Sequence, residues 1–180
     1  MRAPTARIID LAAALAWCAD LRRAGATLAV TNGCFDVLHA GHVESLHAAR
    51  NEADALLVLL NSDASVRSLK GPTRPIHGQM ARAMVLASLR CVDAVVVFEG
   101  ENCAADLRFL SPDVYAKSEE YRECQDPFEA AALAACGSQV VWLPRDGRYS
   151  SSAAVEKLGA PISGSAPEPL GRAAFPGETR

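Results

Sequence analysis

TNGCFDVLHAGH, residues 31–42, is the stretch whose reading decides the fold. Ahead of it lies the apolar run Leu28, Ala29, Val30, and behind it an amphipathic stretch with Val43, Leu46, His47 and Arg50. That pattern is a strand entering a helix through a glycine-containing loop. The first N–H groups of a helix lack intrahelical partners and the helix dipole is positive there, so such a junction is a natural cradle for phosphate. His39 and His42 stand three apart, so both imidazoles reach one side of a single turn. Gly41 between them, and Gly33 at the strand end, remove side chains where a phosphate approaches the backbone. A histidine at a helix start also serves as a plain cap or a solvated side chain, so the surroundings have to decide.

Working outward, ALLVLL at 55–60 is a continuous apolar run of strand length, which suits a parallel strand buried on both faces. AVVVF at 94–98, DVYAK at 113–117 and QVVWLP at 139–144 are further strands. Helices are expected at about 9–24, 42–52, 64–69, 78–90, 102–110, 127–136 (ended by Gly137) and 151–158. Five strands alternating with helices predict a single α/β domain with a Rossmann-like, doubly wound, five-stranded parallel sheet. Residues 1–26 are expected to form a covering helix, 27–158 the domain that carries the candidate phosphate site, and 159–180, rich in Pro, Gly and Ser, a flexible tail.

In open α/β sheets ligands collect outside the carboxyl ends of the strands. TNGCFD and the triplet Asn61, Ser62, Asp63 both end strands and should share one rim. SLKGPTRPIHG at 68–78 carries Lys70 and Arg74 in a Gly- and Pro-rich context and reads as a mobile basic loop. DVYAK delivers Lys117 to the same rim. RDGRYSSS at 145–152 offers Arg145 and Arg148, then three serines able to cap a helix whose N-terminus adds a second positive end.

Half the residues are apolar and 22% are charged, with a net charge of −3, an ordinary soluble composition that gives no bulk attraction to nucleic acid or an anionic membrane. A polyphosphate ligand would need local cations. The six cysteines show no C-x-x-C pair, so zinc is not expected and free thiols in a reducing cytoplasm are the simplest account. The Ala-rich opening is broken by Trp17, Asp20 and a basic run, which fits an amphipathic helix and not a signal peptide, and no run is long enough for a membrane span.

H-x-G-H after a strand ending T-N-G-x-F-D resembles the signature of the cytidylyltransferase-type nucleotidyltransferase superfamily. Together with NSDASV and LKGPTRPI, it is most similar to the sugar-phosphate adenylyltransferases of the heptose 1-phosphate type, with the glycerol-3-phosphate cytidylyltransferases a more distant likeness. The resemblance implies that Asn32, Gly33, Cys34 and Phe35 line the nucleotide, the latter pair through backbone contacts. It implies that His39 and His42, with Gly41 between them, hold the triphosphate and stabilise the transition state. Asn61 and Asp63 would lie near the nucleotide and sugar, Lys70 on the mobile loop, Arg82 on the following helix against the triphosphate, and Lys117 facing the acceptor. Arg145, Ser150, Ser151 and Ser152 would grip the triphosphate. ATP is the implied co-substrate with CTP as the alternative, Mg²⁺ the implied metal, with Asp36 a nearby carboxylate, and a homodimer the implied assembly.

The chemistry asks for these residue types. In nucleotidyl transfer the nucleophile is already an anion, so no Ser, Cys or base need be activated, and the protein supplies alignment, cations and N–H donors. The segment Lys117, Ser118, Glu119, Glu120, Tyr121 stands where heptose-type enzymes usually show Lys-Gly-Gly-Asp-Tyr, which leaves the acceptor open. Three readings follow: adenylyl transfer to a sugar 1-phosphate, cytidylyl transfer to glycerol 3-phosphate or another small phosphorylated acceptor, and a nucleotide-binding module that has lost turnover.

Overall fold

The computed structural model describes residues 6–144. The expected helix at 151–158, the tail, and Arg145, Ser150, Ser151 and Ser152 lie outside the described residues. In chain order the elements are β1 (Arg7–Ile8), α1 (Leu11–Arg23), β2 (Leu28–Gly33), α2 (Ala40–Asn51), β3 (Ala55–Asn61), α3 (Asp63–Lys70), α4 (Gln79–Ala87), β4 (Ala94–Phe98), α5 (Ala104–Leu110), β5 (Val114–Ser118), a 3₁₀ turn (Glu119–Cys124), α6 (Pro127–Cys136) and β6 (Gln139–Leu143).

All strand pairs are parallel, in the order β1-β4-β3-β2-β5-β6. Among the described residues the sheet therefore has six strands where the sequence suggested five. The extra one, β1, is two residues long and joins through main-chain pairing of Arg7 with Ala94 and Ile8 with Val95, so it carries no side-chain periodicity to read. The chain order of the strands reverses between β2 and β5, and such a switch point opens a crevice at the carboxyl ends of the strands.

Side-chain alternation along each strand divides the core in two. Leu57 and Leu59 of β3 pack with Val30, Val96 and Tyr115 under α1, α5 and α6. Leu56, Val58 and Leu60 pack on the other face under α2 and α4. Every residue of β3 is buried, which is why its sequence is an unbroken apolar run.

Aspartates fasten the amino ends of the strands. Asp54 accepts the Thr27 N–H at 2.9 Å, Asp93 the Leu56 N–H at 2.8 Å and Asp113 the Leu28 N–H at 2.8 Å. Each satisfies a main-chain donor that the ladder leaves unpaired. The helix α6 starts and stops by side-chain chemistry: Asp126 accepts from the Phe128 and Glu129 N–H groups, Pro127 occupies the first turn, and Gly137 closes the helix with a left-handed φ of 71°. No helix among the described residues is long and apolar enough to cross a membrane.

Candidate active site

A cleft of about 780 Å³ opens at the carboxyl ends of β2, β3 and β5. Its walls bring together most of the residues singled out by sequence: Asn32, Gly33, Cys34, Phe35, His39, Gly41, His42, Asn61, Lys70 and Lys117. The loop after β2, the end of α3 and the end of β5 thus meet at one rim.

The two imidazoles stack. Their ring centroids are 3.9 Å apart with an interplanar angle of 22°. His39 is the N-cap of α2 in an extended conformation, and its main-chain N–H lies 3.4 Å from His42 Nδ1. Because Nδ1 of His42 accepts, the neutral ring carries its proton on Nε2, which makes that nitrogen a donor. Phe35 supports the pair from the side, its ring 5.3 Å from that of His42 at 57°.

Phe35 also explains Gly33. Phe35 has φ 44°, a left-handed backbone that a bulky residue adopts only under constraint. A Cβ on Gly33 would meet the Phe35 ring at 3.0 Å. A side chain at Gly33 would thus press on Phe35, and Gly33 itself lines the cleft.

Three expected contact residues are engaged by other groups of the protein. Arg82, expected to be catalytic and to bind the nucleotide, has a side chain only 1% exposed and does not line the cleft. Its Nε donates to the His77 carbonyl at 2.9 Å, Nη1 to the Cys34 carbonyl at 2.6 Å and Nη2 to Asp63 Oδ1 at 2.8 Å. It braces three segments behind the cleft. Asp63, expected near the substrate, is the partner of that brace and also lies off the cleft.

Asp36, expected to meet substrate or Mg²⁺, sits in the wall with a fully buried carboxylate. It pairs with Arg74 Nε at 2.5 Å and accepts the Ile76 and His77 N–H groups at 2.6 and 3.2 Å. Lys70, expected on the basic loop, is the last residue of α3 and lines the cleft, whereas Arg74 of that loop is spent on Asp36. Asn61 lines it too, with its amide donating to Ser65 Oγ at 2.9 Å.

The Cys34 thiol is pushed up by burial, only partly offset by the nearby Lys70, Arg82 and Arg74 charges. A raised thiol holds less thiolate at neutral pH, which gives no support to a nucleophilic role for Cys34. All six cysteines are unpaired thiols. Among the described residues no three His, Cys, Asp or Glu side chains come together as a metal would need.

Lys117 leads to residues that sequence reasoning missed. Its Nζ donates to Glu129 Oε2 at 2.9 Å and lies 3.1 Å from the Tyr115 hydroxyl, and it faces Tyr121 across a ring distance of 5.4 Å. Tyr115 precedes Lys117 by two on β5, so the two share a face, a period-two signal that was available in DVYAK. Glu129 stands three after Asp126, a spacing that reads as an ordinary helix cap, and nothing in that pattern distinguishes it. Burial pushes the Glu129 carboxyl up, but Lys117 and the hydrogen bonds from Lys117 and Cys103 outweigh this and hold it below the usual carboxylate value. Burial drives the Tyr115 hydroxyl well above its ordinary value.

The chain is 51% identical over 121 residues to the bifunctional protein HldE of Mesorhizobium japonicum, covering 66% of this chain and 24% of that one. It is 40% identical over 158 residues to the HldE protein of Caulobacter sp., covering 88% and 32%. The chain thus spans between about a quarter and a third of the length of these curated relatives. Among solved structures its fold is similar to a lipopolysaccharide core biosynthesis protein from Thermoplasma volcanium, with a TM-score of 0.56 and 23% identity over 70% of this chain and 100% of that one. It is also similar in fold to a pantoate-beta-alanine ligase from Francisella tularensis, with a TM-score of 0.51 and 13% identity over 77% and 67%. The cytidylyltransferase-like family model matches residues 30–156, the span that holds the stacked histidines, Lys70 and Lys117, and the chain belongs to that family.

Proposed function

We propose that the protein is a nucleotidyltransferase that moves the adenylyl group of ATP onto the phosphate of a sugar 1-phosphate, a heptose 1-phosphate foremost, and releases pyrophosphate. The acceptor phosphate oxygen attacks the α-phosphorus, the bond from that phosphorus to the bridging oxygen breaks, and pyrophosphate leaves with the electron pair. The observation that carries the reading is the stacked His39–His42 pair at the start of α2, in one cleft with Lys70 and Lys117. Charge builds on the leaving pyrophosphate, and preorganised donors there lower the barrier without reorganising.

His42 Nε2–H and His39 are assigned to the triphosphate, Lys70 to the leaving phosphates, and Lys117 to the acceptor. Asn32, Gly33, Cys34, Phe35 and Gly41 form the nucleotide wall. Arg82, Asp63 and Asp36 shape it from behind. Arg145, Ser150, Ser151 and Ser152 follow β6, which ends on the cleft at Leu143, and are assigned to the triphosphate by family resemblance. No three His, Cys, Asp or Glu side chains cluster among the described residues, and the Asp36 oxygens are enclosed and already accept three donors, so no step is routed through a protein-held Mg²⁺. A cytoplasmic homodimer is the setting the resemblance implies.

The 51% identity to an HldE protein supports a sugar phosphate over glycerol 3-phosphate. The test is pyrophosphate release with each nucleoside triphosphate against a panel of sugar 1-phosphates, glycerol 3-phosphate and related acceptors. ATP with a heptose 1-phosphate should be fastest. CTP with glycerol 3-phosphate as the best pair would replace the assignment by the cytidylyl reading, and nucleotide binding without pyrophosphate release from any pair would replace it by a binding module.

A further inference from the structure

Glu129 is 2% exposed, yet its carboxylate collects donors from several elements at once. Oε2 accepts from Lys117 Nζ at 2.9 Å, and Oε1 accepts from Asn32 Nδ2 at 3.2 Å and from the Cys103 N–H at 3.3 Å and S–H at 3.2 Å. The Tyr115 hydroxyl stands 2.7 Å from Asn32 Oδ1 and 3.0 Å from Glu129 Oε2. With one proton it serves one of them at a time, while its oxygen accepts from Lys117 at 3.1 Å.

Such a buried ion pair is a poor way to gain stability, since a well-packed apolar pair of equal volume does as well or better. What the arrangement does supply is orientation. A lysine is a point charge on a flexible four-carbon stem with three rotatable donors. Here two of the three N–H bonds are taken, by Glu129 on the cleft wall and by the Tyr115 hydroxyl, and the third is left for the cleft that the side chain lines. The Lys117 side chain is 14% exposed, as expected of a head group held down with one face open. The same carboxylate fixes the amide of Asn32 at the end of β2, beside the phosphate loop.

We infer that Glu129 is a positioning residue for group transfer: it locks the Lys117 ammonium with one N–H aimed at the acceptor, and it ties that acceptor end to the nucleotide loop through Asn32. This rests on the function proposed above and extends it to a residue on a helix behind the acceptor. Lys117 then acts on the acceptor phosphate or an adjacent hydroxyl as a fixed donor, its formal charge already balanced by Glu129.

The test compares wild type, Glu129→Gln, Glu129→Asp, Lys117→Met and the Lys117→Met/Glu129→Gln double variant, using the nucleoside triphosphate and sugar phosphate that wild type turns over. Glu129→Gln keeps an amide oxygen that can still accept from Asn32 and loses the charged oxygen that holds Lys117, so it should raise the acceptor KM by about tenfold or more and leave the nucleotide KM within about twofold, because misplacing one aligned group weakens only the contacts it makes. Glu129→Asp should recover part of the loss. In the Lys117→Met background the Glu129→Gln change should add less than about twofold, since residues acting as a unit are not additive. Equal rises in both KM values, or full additivity, would overturn the inference in favour of a purely structural acid.

A second measurement needs no turnover. In ¹⁵N NMR of the ligand-free protein, a slowly exchanging Lys117 ammonium signal should be present in wild type and lost in Glu129→Gln, or weakened in Glu129→Asp where the Gln variant does not fold. A signal undiminished from wild type would overturn the inference. Wild type that releases no pyrophosphate with any pair would overturn the proposed function, and the ammonium signal would still decide the positioning.

Discussion

The guanidinium of Arg82, on α4, donates through Nη1 to the main-chain carbonyl of Cys34 at 2.6 Å. That bond, with those to His77 and Asp63, makes Arg82 a brace between the phosphate loop, the start of α3 and the basic loop. Arg82→Ala should therefore lower unfolding stability by about 3 kcal/mol, the usual cost of breaking a buried charged cluster, as read by urea denaturation. Lost turnover at unchanged stability would instead place its head group on the substrate.

Asp36 gives a parallel case. Asp36→Asn keeps the shape but removes the charge that pairs with Arg74, and should cost about 2 kcal/mol and speed limited proteolysis within residues 71–77. Turnover lost in this variant should stay lost at high Mg²⁺. Recovery with added Mg²⁺ would restore the carboxylate to the metal.

The Glu129 carboxyl titrates below its ordinary value in the folded protein, so the folded state holds its proton less tightly than the unfolded state does. Its stabilisation is complete above the unfolded value of about 4.3 and is lost as the pH falls through the lower folded value. The stability gap between wild type and Glu129→Gln, measured by denaturation from pH 7 downward, should be widest near neutrality and close in the acid range. A gap that widened on acidification would reverse the sign.

Gly33→Ala places a Cβ 3.0 Å from the Phe35 ring. The ring is the far end of a flexible side chain and can yield, so the expected cost is modest, about 1 kcal/mol. Its displacement should disturb His42, which Phe35 touches, and turnover should fall several-fold more than stability alone explains. A variant with altered stability and full turnover would show that Phe35 does not support His42.

Much of this was legible because it rests on local patterns. Leu56 to Leu60 read as a strand buried on both faces since no polar residue interrupts them, and His39, Gly41 and His42 read as a helix start because spacing fixes their side of the turn. What escaped depends on where a side chain goes after the chain has folded. Arg74 and Lys70 look equally suited to a phosphate site on paper, yet one is sealed against Asp36 and the other lines the cleft. Arg82 turns inward to carbonyls whose positions no sequence spacing encodes. Glu129 occupies a capping position, and only the approach of β5 to α6 makes it the partner of Lys117. The strand Arg7–Ile8 is too short to show any pattern.

The central claim is that the imidazole of His42 stabilises charge on the triphosphate during transfer. Its most direct test is the rate of pyrophosphate release by His42→Ala against wild type, with the pair that wild type uses and with folding checked by thermal denaturation. We predict a loss of about 100-fold or more, the scale for removing one preorganised charge stabiliser, in a protein that still folds. A folded His42→Ala variant turning over at the wild-type rate would contradict the account.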